Sequence, residues 1–99
     1  PEVEVVLRAV GVRVAPALGE RVEGEGHHHL FVDTEVTPPG DTIPKDVPGI
    51  VHLGTGAERF VVKDLAPGPH RIVAVFAWGD HVPIPDVAPD TVRIVVRAP

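Results

Sequence analysis

The stretch "HRIVAVFAW", residues 70–78, decides the fold class. Apolar residues occupy its even positions from Ile72 to Trp78, and also its odd positions from Val73 to Ala77. Alternate side chains of a β-strand point to opposite faces of the sheet, so a strand that is apolar on both faces is covered on both. We therefore predict a central strand that is buried on both sides or nearly so.

The residues before this strand predict a β-hairpin. "RFVVKDL", residues 59–65, has the β-branched and aromatic residues of a strand, and "APGP", residues 66–69, supplies turn residues between the two segments. In such a hairpin the start of the first strand, near Arg59, lies at the same end as Trp78.

Strand-like segments recur along the rest of the chain, separated by twelve prolines and ten glycines. They include "EVEVVLRAV" at residues 2–10, "HLFVDTEV" at 29–36, "IVHL" at 50–53 and "TVRIVVRAP" at 91–99. In the last of these, Val92, Ile94 and Val96 are predicted to face inward. About seven short strands without a helical period predict an all-β fold, an antiparallel immunoglobulin-like β-sandwich, over a single domain at residues 1–99.

Composition excludes several function classes. The formal net charge of −5 provides no basic face for nucleic acid, and no apolar run reaches the length of a membrane span. Cysteine and methionine are absent, which excludes disulfides and thiolate metal sites. Serine is absent as well, so the two commonest nucleophiles are missing and a non-catalytic domain is favoured over an enzyme. Asp33 and Glu35 fit a solvated strand end better than a catalytic carboxylate pair.

Six histidines are the remaining chemistry-bearing residues, and three of them are consecutive. In an extended strand His27 and His29 point to one face and His28 to the other. Side chains at positions i and i+2 are about 6–7 Å apart at Cα, close enough to bind one ion together.

The other histidines divide between two ends of the fold. His70 begins the central strand and His81 follows its end, so they are roughly 25–30 Å apart and cannot share an ion. The hairpin brings His52 toward the end that holds Asp80 and His81, which predicts a cluster of these three residues. Whether His27 and His29 join it depends on a strand order that the sequence does not give.

Sites built from histidine alone suit Zn(II), Cu(II) or Ni(II), whereas Cu(I) usually recruits methionine or cysteine. Copper or zinc is therefore the predicted metal. The predicted ligands are His27, His29, His52 and His81, with Asp80 orienting an imidazole and with His28 and His70 in reserve. Two other interpretations stay open: a hydrogen-bonded structural histidine, favoured for His70, and a proton switch formed by clustered histidines that charge near pH 6.

Four motifs in order resemble a bacterial family, the domain of unknown function DUF4399. They are "GHHHLFVDT", "IPKD" followed by "VHLGTGAERF", "LAPGPHRIVAVFAWGDH" and "VPIP", and the resemblance covers the chain from about Val12 onward. It assigns the family's histidine positions to His27, His28, His29, His52, His70 and His81. Ile50 and Ile84 stand where the family carries further histidines, and the loop that holds His81 is shortened here.

The resemblance implies an exported protein, because family members look exported and often carry a leader. We therefore expect a periplasmic or secreted domain, with a leader removed, that binds a metal ion. The competing hypothesis is an immunoglobulin-like interaction module whose proline-rich loops bind another envelope protein without metal. Catalysis ranks third, since it would need a bound metal with an open coordination position.

Overall fold

The protein is all-β in the computed structural model, which describes residues 2–98. Seven strands follow one another along the chain: β1 (Val3–Val6), β2 (Arg13–Val14), β3 (Glu25–Val32), β4 (Ile50–His52), β5 (Arg59–Val62), β6 (Gly68–Ala77) and β7 (Asp90–Val96). Residues 2–98 contain no helix and therefore no membrane-spanning helix.

The strands form two sheets. The larger has the order β2-β3-β6-β7, with β4 also pairing to β3, and the smaller consists of β1 and β5. β6 lies between β3 and β7 in antiparallel register, with Phe31 opposite Val73 and Ile72 opposite Val92. The central position predicted for residues 70–78 is therefore confirmed.

The two apolar faces of β6 pack into two separate cores. Ile72 on one face joins Leu30, Val62 of the smaller sheet and Leu7, the residue that follows β1. The opposite face contributes to a second core whose buried members are Phe31, Ile43, Val73, Val75 and Ala77. Burying a valine or leucine side chain contributes about 1.5–3 kcal/mol, which is why a strand with two apolar faces takes the central position.

A long loop, rather than a second sheet, covers the second core. Ile43 lies in the loop between β3 and β4, is 1% exposed and packs in this core. Its amide donates a hydrogen bond of 2.8 Å to the carbonyl of His81. The proline-rich segment around residues 37–49 is thus anchored to the turn that follows β6.

The predicted hairpin of residues 59–78 is wrong. β5 pairs with β1, with Val5 opposite Phe60, and not with β6. Between β5 and β6, Asp64 takes the left-handed conformation at φ 60° and Leu65 is buried in the first core. The segment therefore carries the chain from one sheet to the other. Burial of the Val62 and Leu65 side chains in the core between the sheets stabilises this path over pairing of β5 with β6.

Three details of the predicted strands also differ. β2 and β3 are parallel, so the larger sheet is mixed and the structure does not show an immunoglobulin-like sandwich. β3 ends at Val32 instead of continuing to Val36, because Asp33 turns the backbone at φ 52°. Val92 is 53% exposed, contrary to the predicted inward orientation, and does not pack in the first core with Ile94 and Val96.

Candidate metal centre

The histidine triplet lies within β3 and its side chains alternate as predicted. His27 and His29 lie on the same face as Phe31, and each is 0% exposed. His28 lies on the other face, where its ring meets Phe76 edge-on at a centroid distance of 5.0 Å. The alternation follows from strand geometry, which places residues i and i+2 on one side of a sheet.

His52 reaches this site through strand pairing. β4 is antiparallel to β3, with His52 directly opposite His29. Directly opposed side chains share a face and have Cβ atoms about 4.5–5.5 Å apart. The sequence predicts His52 near His81 from a hairpin that the structure does not contain. The pairing of the three-residue strand β4 with β3 brings His52 to the site instead.

His81 enters from the turn that follows β6. Its amide donates a hydrogen bond of 2.8 Å to the carbonyl of Trp78, and the amide of Trp78 donates one of 3.0 Å to the carbonyl of Val82. His81 itself has φ 65°, a left-handed conformation that is uncommon for a residue other than glycine. Such strained backbone is often retained at functional sites, and here it holds the imidazole over β3.

Three imidazoles converge. Nδ1 of His81 lies 3.2 Å from Nε2 of His27 and 3.3 Å from Nε2 of His29. One ring nitrogen from each of the three lies within 4.8 Å of the other two. Two nitrogens bound tetrahedrally to one Zn²⁺ at 2.0–2.1 Å are separated by about 3.3 Å. The spacing of the ring nitrogens in the protein therefore fits a shared metal ion.

The fourth imidazole, that of His52, packs beside this group but is not one of the three whose nitrogens converge. The His52 ring lies 4.6 Å from that of His29 and 5.2 Å from that of His81, centroid to centroid. Its Nε2 donates a hydrogen bond of 2.9 Å to the carbonyl of Pro44. Because that bond places the proton on Nε2, a neutral His52 carries its free lone pair on Nδ1, the nitrogen available to a metal.

Burial favours the neutral form of the three converging histidines, His27, His29 and His81. Desolvation is the main cause that lowers the pKa of His29 to about 2 and that of His27 to about 4, and the neighbouring histidines lower both further. Desolvation followed by repulsion from His52 and Lys45 also lowers the pKa of His81. Neutral imidazole is the form that binds a metal, so these ligands need not lose protons near neutral pH.

Hydrogen bonding within the cluster is incomplete. Nδ1 of His27, Nδ1 of His29 and Nδ1 of His52 are buried without a partner among residues 2–98. Nδ1 of His81 faces two Nε2 atoms, but a neutral imidazole nitrogen offers either one proton or one lone pair. A buried polar group without a partner costs about 1–3 kcal/mol. A metal ion at Nδ1 of His81 and the two Nε2 atoms would remove the competition for a proton there, whereas Nδ1 of His27 and Nδ1 of His29 would stay without a partner among residues 2–98.

Asp80 does not orient an imidazole, contrary to the prediction. Its carboxylate accepts a hydrogen bond of 3.0 Å from Arg21 and one of 3.3 Å from the amide of Val82. Arg21 also stacks on the Trp78 ring at 3.8 Å. Asp80 thus shapes the turn that carries His81 and raises the pKa of that histidine, against the stronger effect of burial.

The carbonyl of Pro44, and not Asp80, orients an imidazole of the site, that of His52. Sequence reasoning missed this group because a backbone carbonyl has no signature of its own. The only available signal was the long loop of residues 37–57 before and around β4, a length that is usual for functional loops.

The two reserve histidines lie outside the cluster. His28 is on the opposite face of β3. Nδ1 of His70 lies 2.5 Å from Asp33, and its Nε2 donates a hydrogen bond of 2.6 Å to the carbonyl of Ala66, at the far end of β6. His70 is therefore a hydrogen-bonded structural histidine, and Asp33 is its partner rather than half of a carboxylate pair.

Comparison with known families matches residues 5–97 to a family described as "Domain of unknown function (DUF4399)". No curated protein and no solved structure matches the chain. The matched region begins before Val12, the start of the resemblance seen in the motifs, and includes all six histidines. The chain therefore belongs to the DUF4399 family.

Proposed function

We propose that this domain binds one transition-metal ion, Cu(II) or Zn(II), through His27, His29 and His81, with His52 as the fourth ligand. Histidine-only ligand sets suit these two ions. The proposed ligands come from two strands and one turn, so the folded protein brings together imidazoles that are far apart in the sequence.

The observation that carries the proposal is the convergence of ring nitrogens that have neither charge nor sufficient partners. Nδ1 of His81 lies 3.2 Å from Nε2 of His27 and 3.3 Å from Nε2 of His29, and burial lowers the pKa values of all three histidines. A metal ion accepts a lone pair from each ring, which removes the competition for one proton. Binding would then stabilise the fold, because the unfolded chain lacks the preformed site.

The ligand count favours binding over catalysis. With His52 bound through Nδ1, four imidazoles fill a tetrahedral zinc shell, and catalytic zinc sites instead keep one position for water or substrate. The carbonyl of Pro44 would hold the His52 ring in the required tautomer. We infer a role in holding or delivering the metal rather than in a reaction.

The proposal also places the domain in the periplasm or outside the cell. This location rests on the resemblance to family members that look exported, because a chain without cysteine suits either side of a membrane. Fractionation of cells that produce the native, full-length protein tests this part separately, and recovery in the cytoplasm alone would contradict it.

The decisive experiment is a metal titration of protein purified without nickel resin and stripped of metal. Zn(II) and Cu(II) are titrated in competition with a chromophoric chelator, and elemental analysis gives the stoichiometry. We expect one ion per chain with sub-micromolar affinity, and at least a hundredfold weaker binding in the double variant His52→Ala/His81→Ala.

A folded variant with unchanged metal affinity after loss of both His52 and His81 would contradict the proposed cluster. Circular dichroism and a dispersed NMR spectrum establish that each variant is folded. Co-purification of a stable protein partner with no bound metal would instead favour the immunoglobulin-like interaction module. The anchoring of the residue 37–49 loop through Ile43 argues against a freely adapting contact loop there.

A further inference from the structure

Two arginines face each other at the end of the large sheet opposite the histidine cluster. Arg71 of β6 and Arg93 of β7 are direct partners in the antiparallel register. Directly opposed residues share a face of the sheet, with Cβ atoms about 4.5–5.5 Å apart. Like charges in that relation destabilise a sheet, so the pair works against the fold of the free protein.

The arginine charges have no matched carboxylates. Among residues 2–98, neither guanidinium forms an ion pair with an aspartate or glutamate. The two oxygens of Asp33 bind the ring of His70 and the backbone amide of Arg71. Asp33 therefore lies close to Arg71 without forming an ion pair with its guanidinium.

Arg71 is held in place before any ligand arrives. Its terminal nitrogen donates a hydrogen bond of 3.2 Å to the carbonyl of Thr34. Its Nε is buried without a partner within residues 2–98. An arginine that is fixed and incompletely bonded binds an anion with less loss of side-chain entropy than a mobile surface arginine.

A shallow depression of about 420 Å³ lies over the two arginines. Its lining combines Arg71, Arg93 and His70 with the Asp33 carboxylate and with the exposed side of β7 at Val95. The carbonyl of Ala66 and then Asp33 raise the pKa of His70, and the Asp33 carboxylate offsets the charge of its imidazolium. The excess positive charge of the depression therefore comes from the two arginines.

We propose that Arg71 and Arg93 form a binding site for a small, doubly charged oxyanion of the phosphate type. Two opposed guanidinium forks offer paired N–H donors, and charge-assisted hydrogen bonds to oxyanions are the strongest that neutral-pH side chains make. The bound anion would cancel the repulsion between the two arginines. The site is distinct from the metal centre and does not depend on it.

The test is a titration of metal-stripped, desalted protein with inorganic phosphate at constant ionic strength, followed by backbone amide NMR. Shifts should concentrate at residues 69–71 and 93–95. Arg93→Gln should weaken phosphate binding about tenfold, the loss expected for one charge-assisted pair of hydrogen bonds. Arg8→Gln, which removes an equal charge from an exposed position elsewhere, should change it less than about twofold.

Charged residues also protect exposed sheet edges from aggregation, and Arg93 could serve that role alone. Unfolding measurements distinguish this alternative from an anion-binding site. Without phosphate, Arg93→Gln should raise the melting temperature, because the like-charge pair is removed. At one phosphate concentration, the parent and Arg8→Gln should gain more stability than Arg93→Gln, because they bind phosphate more tightly. Equal phosphate affinity in the parent and Arg93→Gln, or equal weakening in the two variants, would overturn the proposal. Zinc affinity should be unchanged in both, so failure here leaves the metal centre untouched.

Discussion

The two ends of β6 treat histidine in opposite ways. At one end His70 has an acceptor for each ring nitrogen, the Asp33 carboxylate and the Ala66 carbonyl, and its pKa is raised. At the other end His27 and His29 are buried among further imidazoles, and their pKa values fall to about 4 and about 2. The surroundings therefore favour the protonated form of the imidazole at one end of β6 and the neutral form at the other.

This difference separates a structural histidine from a ligand. A ring whose two nitrogens both meet oxygen acceptors has no lone pair to offer, whereas a neutral ring with an unpartnered nitrogen does. Residue type and spacing do not distinguish the two cases in the sequence. The partners of each ring nitrogen do.

The largest effect should come from His29→Ala compared with His70→Ala. The His29 ring lies within 5.5 Å of three other histidine rings, centroid to centroid, so its loss removes the centre of the cluster. We expect zinc affinity to fall more than about a hundredfold, beyond the loss typical of residues that only support ligands. His70→Ala should change it less than about twofold.

Competition titration with a chromophoric chelator measures both variants. His70→Ala is the matched control because it removes an imidazole from the same protein without touching the cluster. A larger loss of zinc affinity from His70→Ala than from His29→Ala would contradict the proposed cluster and would place the metal ion near His70 instead.

Metal binding should next appear as stability. At a free zinc concentration a thousand times the dissociation constant, linkage adds about 4 kcal/mol to the free energy of unfolding. For a domain of this size that corresponds to an increase in melting temperature on the order of 15 °C. His70→Ala should keep the increase and His81→Ala should lose it, as measured by circular dichroism with and without zinc.

The sequence predicted the elements that depend on local pattern. The central strand, the face that His27 and His29 share, and the separation of His70 from His81 all follow from the two-residue period of a strand and its rise. These statements need no knowledge of which strands are neighbours, and the structure agrees with them.

The rest required strand order, which the local pattern does not contain. The predicted hairpin failed because Val62 and Leu65 pack in the core between the sheets, a long-range preference invisible in residues 59–78. The meeting of His29 with His52 depends on β4, three residues inside a proline-rich loop. Asp80 was assigned to an imidazole by proximity along the chain, whereas Arg21, 59 residues away, takes its carboxylate.

Acid should act on the two ends with opposite signs. In metal-free protein His27 and His29 have folded pKa values below the unfolded value of 6.5, so the unfolded chain binds more protons and stability falls as the pH drops below 6.5. Each contributes up to about 1.4 kcal/mol per pH unit. The raised pKa of His70 gives stability that is present below 6.5 and is lost as the pH rises through its folded value.

Urea unfolding between pH 7.5 and 5 measures the balance, at pH values where carboxylates stay ionised. With two strongly shifted histidines against one, the free energy of unfolding should fall toward acid. His27→Phe/His29→Phe should flatten the fall if it folds, and Asp33→Asn should steepen it by weakening the His70 cation. A stability that rises toward pH 5 in the parent would show that the cluster is not held neutral.

The smallest effect concerns His28, which shares the triplet but not the site. It is 5% exposed, its Nε2 has no partner within the described chain, and Phe76 lies against its ring. Leucine fills a similar space without a polar atom, so His28→Leu should raise the free energy of unfolding by about 1 kcal/mol and leave zinc affinity unchanged. His27→Leu, one residue away on the other face, should weaken zinc binding instead. Equal loss of zinc affinity in both variants would mean that the whole triplet binds the ion. The face of β3 on which a histidine lies would then not decide whether it is a ligand.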